Sequence, residues 1–263
     1  MRFFRIQKYD NSAISQKKNN AGRNNTGRIT IAHQGGGHKQ SYRTINLQGT
    51  APKGWIIGLE YDPNRSARIA KIGYLENNVL KFYYILAPQN LILLDQVETY
   101  SKKSVLNNAF QFNVKKQIGS FYKLTEFERG DSIYNIELWP NTGAKLVRAG
   151  GTFAQVLNKD KNFLTVKLPS KEHRLIPIDC KACFGSLSNE NNRTTNWKKA
   201  GKSRWLNKRP TVRGVAKNPV DHPHGGNTSG GCHPVTPWAR LTKGRPTRSK
   251  KKINKLILKK NSR

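Results

Sequence analysis

The residues best suited to proton chemistry stand in the segment VDHPHGG, which contains Asp221, His222 and His224. A histidine exchanges protons near neutral pH, and an aspartate beside it can orient its ring, so the three are a candidate acid/base set. The prolines and glycines around them also favour a rigid loop that serves only as a contact surface. Spacing alone leaves both interpretations open.

A second group has the side chains that zinc prefers. Cys180 and Cys183 form one CxxC pair, and Cys232 with His233 follows about fifty residues later, so four ligands can be assembled on paper. One such pair is a weaker signal than two, and the pair in LIPIDCKACFGSL also fits small core residues. The odd total of three cysteines argues against a disulfide framework and for a reducing compartment. We therefore expect no bound metal.

Charge gives the most general constraint. The 263 residues include 48 Lys and Arg against 15 Asp and Glu, which gives a formal net charge of +33. Self-repulsion of this size opposes compaction unless a polyanion neutralises it. The composition therefore predicts a nucleic-acid partner.

Basic residues alternate with glycine in the first array, GRNNTGRITIAHQGGGHKQSYR. Arginine can bind phosphate oxygens with two nitrogens, and glycine lets the backbone approach a phosphate closely. No GK[ST] follows the three glycines, so a nucleotide pocket is disfavoured and an arm laid along RNA is favoured. The candidate RNA-binding residues of this array are Arg23, Arg28, His33, Gly36, His38, Lys39 and Arg43.

Cations are interleaved with tryptophans in the second array, NWKKAGKSRWLNKRPTVRG. The cations can neutralise an RNA backbone, while Trp197 and Trp205 can stack on bases or on arginine planes. Alternatively, both indoles cover the edge of the preceding β-domain. The candidate RNA-binding residues here are Lys198, Lys199, Lys202, Arg204, Trp205, Arg209 and Arg213.

The middle of the chain has the pattern of short strands that would position these arrays. Aromatic and β-branched residues are concentrated in GWIIGLEY, ARIAKIGYL and VLKFYYILAP, and later in SIYNIELW, KLVRAG, TFAQVLN, FLTVKL and RLIPI. Turns are predicted at residues 76–78 and 160–162, and one helical turn near residues 180–187. The first 50 residues are predicted to be an extended basic arm.

Residues from about 189 to the end have few apolar side chains and cannot offset their own ordering entropy. They are ordered by a partner or form a solvating tail. No run of about 18 apolar residues exists anywhere, so a membrane span is not expected, and the first residues lack the apolar stretch of a secretory signal.

Five long motifs occur in the order of a known family. GRNNTGRITIAHQGGGHKQSYR, EYDPNRSARIA, YILAP, RWLNKRPTVRGVAKNPVDHPHGG and HPVTPWARLTKGRPTR together resemble the universal large-subunit ribosomal protein of the L2 family, from about Gly22 to Arg248. The resemblance implies a mainly β fold with an OB-fold barrel at 51–118 and an SH3-like barrel at 119–190. Basic extensions at 1–50 and 191–263 are implied to thread into rRNA.

The resemblance also implies a function. A member of this family is a structural constituent of the large ribosomal subunit that binds rRNA, helps to assemble and support the peptidyl transferase centre, and aids subunit association and tRNA placement. The implied partners are large-subunit rRNA, other large-subunit proteins, the small subunit and nearby tRNA, with no membrane and no small-molecule substrate. The family performs no peptide-bond chemistry, so the chain is not expected to be an enzyme.

Matching motifs extend the set of candidate sites. They add Arg65, Arg68, Lys243, Arg245 and Arg248 to the RNA-binding residues. The loop with Asp221, His222 and His224 is implied to lie nearest the peptidyl transferase centre. No cofactor is expected, and any structural Mg²⁺ would be held by the rRNA.

Where the family pattern has Gly-Gly-Gly-Glu-Gly-Arg after the second histidine, this chain has GGNTSGG. The short leader, the abundant Asn, Lys and Ile, and the single Met are typical of an organelle-encoded member. We expect the mitochondrial matrix, on the mitochondrial ribosome, with a plastid or the bacterial cytoplasm as alternatives.

Overall fold

The computed structural model describes residues 13–76, 79–98, 116–226, 232–244 and 256–259. The chain divides into two units. Residues 40–195 form the first, together with 13–17 and 256–259, and we call it the β unit. Residues 18–39 and 196–244 form the second, which we call the terminal unit because it combines sequence from both ends of the chain.

A four-stranded antiparallel sheet occupies the first half of the β unit, next to a two-stranded ribbon. Its central strands read GWIIGLE, IAKIGYLE and VLKFYYIL, and apolar residues of each pack on a shared inner face. The sheet order is β5-β4-β3-β6, and β1 pairs with β2. The strands are β1 (Ile14–Gln16), β2 (Ser41–Arg43), β3 (Gly54–Glu60), β4 (Ile69–Glu76), β5 (Val79–Leu86) and β6 (Gln96–Val97).

A seven-stranded sheet forms the second half, in the order β15-β13-β12-β11-β8-β14-β7, and β9 pairs separately with β10. The predicted turn at 160–162 is confirmed, because the Asp160 N–H donates to the Phe163 carbonyl at 2.9 Å between β11 and β12. The strands are β7 (Phe121–Lys123), β8 (Ser132–Tyr134), β9 (Ile136–Glu137), β10 (Ala144–Leu146), β11 (Ala154–Lys159), β12 (Phe163–Lys167), β13 (His173–Pro177), β14 (Lys181–Phe184) and β15 (Ile257–Lys259).

Apolar side chains from both sheets meet in one cluster. Leu86 from the first sheet packs with Phe121, Tyr134 and Cys183 from the second, and Leu187 completes the contact. Burying one such large side chain contributes about 1.5–3 kcal/mol. Each sheet also has its own buried cluster, one around Ile56 and Ile72 and one around Ile133 and Val166.

The helical turn expected near residues 180–187 is wrong. Residues 181–184 of this stretch form β14, in which Ala182 and Cys183 pair with Tyr122 and Phe121 of β7. Small apolar side chains suit the crowded interior between two strands, so tertiary pairing overrides the weak local helical signal. The mainly β fold class is confirmed, and the assignment to OB-fold and SH3-like barrels stays a prediction, as do the four segment boundaries.

Helical structure is short wherever the chain is described. The one α-helix in these residues is α1 (Gly201–Trp205), and single 3₁₀ turns occur at Leu124–Glu126, Glu190–Arg193 and Gly214–Ala216. Among the described residues, none of the helices has the length and apolar character needed to cross a membrane.

The terminal unit lacks an apolar core in the part that the structure describes. All buried apolar side chains of the described residues lie between Ile56 and Leu187, within the β unit. His222 is the one buried side chain of the terminal unit in residues 18–39, 196–226 and 232–244. This unit is therefore held by hydrogen bonds and tight turns rather than by apolar burial.

Candidate nucleic-acid interface

The three consecutive glycines of the arm pack against the end of α1. The N–H groups of Gly35 and Gly37 donate to the backbone carbonyl and side-chain Oδ1 of Asn207, both at 3.1 Å. A Cβ on Gly37 would lie 2.8 Å from the Asn207 backbone nitrogen, closer than carbon and nitrogen atoms approach. Glycine is needed here because only a backbone without a side chain fits.

Further backbone bonds join the two basic arrays. The His38 N–H donates to the Trp205 carbonyl at 3.1 Å, and the Arg209 N–H donates to the His33 carbonyl at 3.0 Å. Gln34 and Lys208 form an isolated β-bridge between them. Two segments about 170 residues apart in sequence therefore share one surface.

The beginning of the arm folds into a tight loop, so the prediction of a wholly extended arm is wrong here. The N–H groups of Thr30 and Ile31 donate to the Gly22 carbonyl at 3.0 and 3.2 Å. The Asn24 side chain accepts the Arg28 N–H at 3.0 Å, a local bond that asparagine makes readily in turns. Arg23 and Arg28 are both exposed on this loop.

Each tryptophan of the second array carries a lysine over its ring. Lys199 Nζ lies 4.9 Å from the Trp205 ring centroid, and Lys208 Nζ lies 4.5 Å from that of Trp197. Both indole side chains are exposed to solvent. Their exposure does not support the alternative in which they are buried against the edge of the β-domain. An exposed ring flanked by a cation is suited to stacking against a base beside a phosphate.

The cations of this unit are almost uncompensated. Its described residues include fourteen Lys and Arg and one acid, Asp221, which gives a formal charge of +13. No ion pair joins side chains within this described part; those found link residues of the β unit. Arg204 Nη1 is buried without a hydrogen-bond partner there. Anionic groups from outside the chain are the natural complement.

The terminal unit contains most of the predicted RNA-binding residues. Side chains that are exposed include His33, His38, Lys39, Lys198, Arg213 and Lys243, whereas Lys202 and Arg204 are half-buried. Arg245 and Arg248 lie outside the described residues. Lys208, a basic residue of the second array, contacts Trp197; the sequence could not reveal this contact because eleven positions separate the two residues.

The loop with the two histidines is fixed by close backbone packing. His222 Nδ1 accepts the His224 N–H at 3.0 Å, which leaves the proton of the neutral ring on Nε2. A Cβ on Gly214 would lie 2.7 Å from the His222 ring, so the glycine permits its burial. His224 Nε2 lies 2.8 Å from the His233 carbonyl, to which it can donate.

This arrangement does not assemble an acid/base set. Burial lowers the pKa of His222 below its ordinary value of 6.5, with smaller contributions from His224 and Lys217. Both the His222 Nδ1 and the His224 Nε2 are engaged with backbone groups, and Asp221 makes no hydrogen bond to either ring among the described residues. The geometry supports a rigid contact loop.

Three predicted arginines lie in the β unit. Arg43 Nε bonds Glu60 Oε2 at 3.1 Å, and Arg65 Nε bonds the fully buried Asp62 at 2.6 Å. These two guanidinium groups therefore stabilise the fold, whatever else they contact. Arg68 is exposed.

A further basic groove lies in the β unit, where the chain after β2 runs beside β10. It has a volume of about 630 Å³, and Lys145 and Arg148 line it together with Asn46, Gln48 and Thr142. Neither basic residue belongs to the arrays that the sequence singled out, because isolated cations between strands give no local pattern.

The cysteines are arranged as core residues. Cys180 and Cys183 are buried, and burial raises the pKa of each thiol to about 12, whereas Cys232 is exposed. Zinc binds thiolate, which such an environment disfavours. Among the described residues no three His, Cys, Asp or Glu side chains group as a metal site.

Two sheets with their own cores and a core-poor unit with uncompensated cations define a mainly β protein that is suited to a polyanionic partner. Comparisons with known proteins identify the family to which the chain belongs. The model of the RNA-binding N-terminal domain of ribosomal proteins L2 matches residues 10–99, and that of their C-terminal domain matches residues 117–239. The chain belongs to the ribosomal protein L2 family, and it is a structural constituent of the large subunit with an RNA-binding domain.

Individual relatives are similar over most of their length. The chain is 50% identical over 244 residues to large ribosomal subunit protein uL2m of Reclinomonas americana, an alignment that covers 90% of this chain and 83% of the relative. It is 43% identical over 254 residues to large ribosomal subunit protein uL2 of a Wolbachia strain from Drosophila simulans, with 95% and 88% covered.

Proposed function

We propose that the chain binds large-subunit rRNA in the mitochondrial ribosome, supports the assembly of the peptidyl transferase centre, and aids subunit association and tRNA placement without catalysing a reaction. The similarity to uL2m supports the mitochondrial location. Other large-subunit proteins are further proposed partners, and the Asp221–His224 loop is the proposed contact nearest the peptidyl transferase centre.

The uncompensated charge of the terminal unit carries this proposal. Buried apolar clusters and ion pairs among the described residues lie in the β unit, whereas the cations of the terminal unit have no acidic partners there, and two of its exposed indoles, Trp197 and Trp205, each carry a lysine. Phosphate groups would neutralise the cations, and unpaired bases would stack on the indoles. The rRNA would thus supply the stabilisation that an apolar core supplies elsewhere.

Catalysis of an RNA reaction by the two histidines is disfavoured by their geometry. A general base needs a free ring nitrogen within reach of its substrate, and His222 Nδ1 is occupied by a backbone donor inside the loop. If the histidines were catalytic, the isolated chain would turn over RNA with a bell-shaped pH profile that is lost in His222→Ala and His224→Ala variants.

Fractionated mitochondria provide the decisive test. The chain should co-sediment with the large subunit at high salt, and ultraviolet crosslinking of those subunits should join rRNA to peptides that contain Trp197 or Trp205. Crosslinking of peptides from residues 163–177 of the β unit, measured in the same digest, is the internal comparison for crosslinking of the terminal-unit peptides. Sedimentation of the chain away from the large subunit, or crosslinks absent from the terminal unit, would contradict the proposal.

A further inference from the structure

The loop between β5 and β6 exposes three consecutive large apolar side chains. Ile92, Leu93 and Leu94 are 66%, 58% and 76% exposed. Single exposed apolar residues are ordinary on a protein surface, but a contiguous group is typical of an interaction site.

Backbone hydrogen bonds hold this loop in its exposed position. The Leu94 N–H donates to the Ile56 carbonyl at 2.8 Å, and the Ile56 N–H donates to the Asp95 carbonyl at 3.0 Å. Leu94 has φ near +70°, a conformation that leucine rarely adopts. Pairing with β3 therefore fixes the backbone, so the apolar side chains cannot turn into the core.

A small groove opens beside these side chains. Ile92 and Ile118 line it, its volume is about 210 Å³, and Ile56 also contributes to its wall. Sites for cofactors and drug-sized ligands are typically about 300–1,000 Å³, so this groove is too small for one. It is suited to a single apolar side chain, the kind of anchor that dominates protein–protein binding.

The charges around the groove disfavour RNA. Residues 82–101 contain no Lys or Arg, although 48 of the 263 residues are basic. Lys116, next in sequence to the groove residues Gln117 and Ile118, is ion-paired with Asp131, and Lys53 is ion-paired with Glu98. A phosphate backbone requires cations, and the described residues that line this groove include no Lys or Arg.

The one charge available at the loop is negative. Asp95 is exposed and makes no side-chain hydrogen bond or ion pair with any described residue. Asp95 lines the groove together with Ile56, Ile92 and Ile118, so the groove complements a polypeptide that presents a large apolar side chain close to a lysine. A basic protein segment fits this chemistry, whereas an RNA strand does not.

We propose that residues 92–95 dock a basic segment of a neighbouring large-subunit protein. The segment places one apolar side chain between Ile92 and Ile118 and pairs a lysine with Asp95. This inference rests on the proposed function, because it requires the chain to be part of the large subunit.

Carbodiimide coupling of purified large subunits tests the pairing directly, because the reagent joins a carboxylate to a lysine in contact with it. The expected product links the peptide containing Asp95 to a lysine of a second ribosomal protein, and it survives RNase treatment. An uncoupled Asp95, or one joined only to this chain's own residues 102–116 or to a second copy of the chain, would overturn the proposal.

Two matched variants test the groove. Ile92→Ser removes an apolar side chain from it, and Leu75→Ser removes one of equal 66% exposure at the end of β4. Coupling at Asp95 should fall about tenfold for Ile92→Ser, the effect of losing an anchor, and stay unchanged for Leu75→Ser. Equal coupling in both variants would overturn the docking site.

Co-sedimentation separates the two possible failures. If the chain is present in the large subunit but Asp95 is not coupled to another protein, the docking site is wrong and the proposed function stands. If the chain is absent from the large subunit, both are wrong.

Discussion

Gly37 lies so close to Asn207 that a methyl group cannot be added without moving the arm. Gly37→Ala should weaken binding to a large-subunit rRNA fragment by about 1–3 kcal/mol, because overpacking separates the two basic arrays. Affinities at fixed salt would show this. Gly27→Ala is the control. Gly27 has a positive φ, but an added methyl group there would contact no neighbouring atom, so this variant introduces backbone strain without overpacking. An equal loss in both variants would rule out packing against Asn207 as the cause.

The ring of His222 keeps its place only while Nδ1 is unprotonated, because Nδ1 accepts the His224 N–H at 3.0 Å. Its pKa is below the ordinary 6.5, so as pH falls the unfolded chain takes up this proton first. The contribution of His222 to stability is therefore complete above about pH 6.5 and is lost as pH falls through the lowered pKa. Titration of the ring resonances by NMR, with the RNA fragment bound, should give a midpoint below 6.5; a higher midpoint would refute the assignment.

The three thiols should differ sharply in reactivity. Burial raises the pKa of Cys180 and Cys183 to about 12, and the thiolate is the reactive form, whereas Cys232 is exposed. At pH 7.5 a maleimide should label one thiol of the native chain and three after denaturation, as mass spectrometry would count. Cys232→Ser should abolish native labelling. Rapid labelling of a second native thiol would contradict the burial.

At the scale of secondary-structure elements, Glu137 links the β9–β10 pair to β14. Its two carboxylate oxygens accept the N–H groups of Gly143 at 3.1 Å and Lys181 at 3.0 Å, and the side chain is almost fully buried. The Glu137 carboxylate thus connects the β9–β10 pair to β14. All three strands are only two to four residues long, so such a side-chain link takes the place of a ladder of hydrogen bonds between the pair and β14.

Glu137→Gln should destabilise the full chain by about 1–3 kcal/mol, because one of these buried N–H groups then faces an amide NH₂ instead of an oxygen. Urea denaturation followed by circular dichroism measures the change. Glu76→Gln serves as the comparison, since Glu76 pairs with Lys81 at the surface and its loss should cost under about 1 kcal/mol. Equal midpoints for the two variants would contradict the role of Glu137.

Strands in which apolar residues alternate clearly could be predicted from the sequence, whereas strands too short to show this alternation could not. The segments GWIIGLEY, ARIAKIGYL and VLKFYYILAP contain β3, β4 and β5, where alternate apolar residues reveal the buried face. β6, β7 and β14 are two to four residues long, so no period can be detected in them. Their positions depend on partners far away in sequence, as the pairing of β14 with β7 shows.

For the candidate site, too, local sequence patterns could be predicted and tertiary contacts could not. Composition located the cationic arrays, because runs of Lys, Arg and Gly are visible in any window. It could not show that Gly37 contacts Asn207 or that Lys208 covers Trp197, since both contacts arise from tertiary packing. Nor could it show that Arg43 and Arg65 are ion-paired within the fold, because Glu60 lies on a different strand from Arg43 and the turn that contains Asp62 is buried.

For the whole molecule, charge and apolar burial are divided between the two units. The acids that form ion pairs among the described residues, such as Asp62 and Asp131, all lie in the β unit, as do the buried apolar clusters. The β unit therefore contains the apolar clusters and ion pairs that stabilise a fold. The terminal unit carries a formal +13 in its described residues and depends on its partner for neutralisation.

This division predicts a steep dependence of RNA affinity on salt. If about eight phosphates are neutralised, the slope of log affinity against log salt should be about −6 to −7. Arg209→Ala removes an exposed terminal-unit cation and should make the slope shallower by about 0.7–0.9, whereas Lys81→Ala should leave it unchanged because Glu76 already pairs with Lys81. The slopes can be measured by filter binding to an rRNA fragment at salt concentrations from about 50 to 400 mM. A flat response, or equal slopes for the two variants, would show that the terminal unit does not bind phosphate through its uncompensated cations.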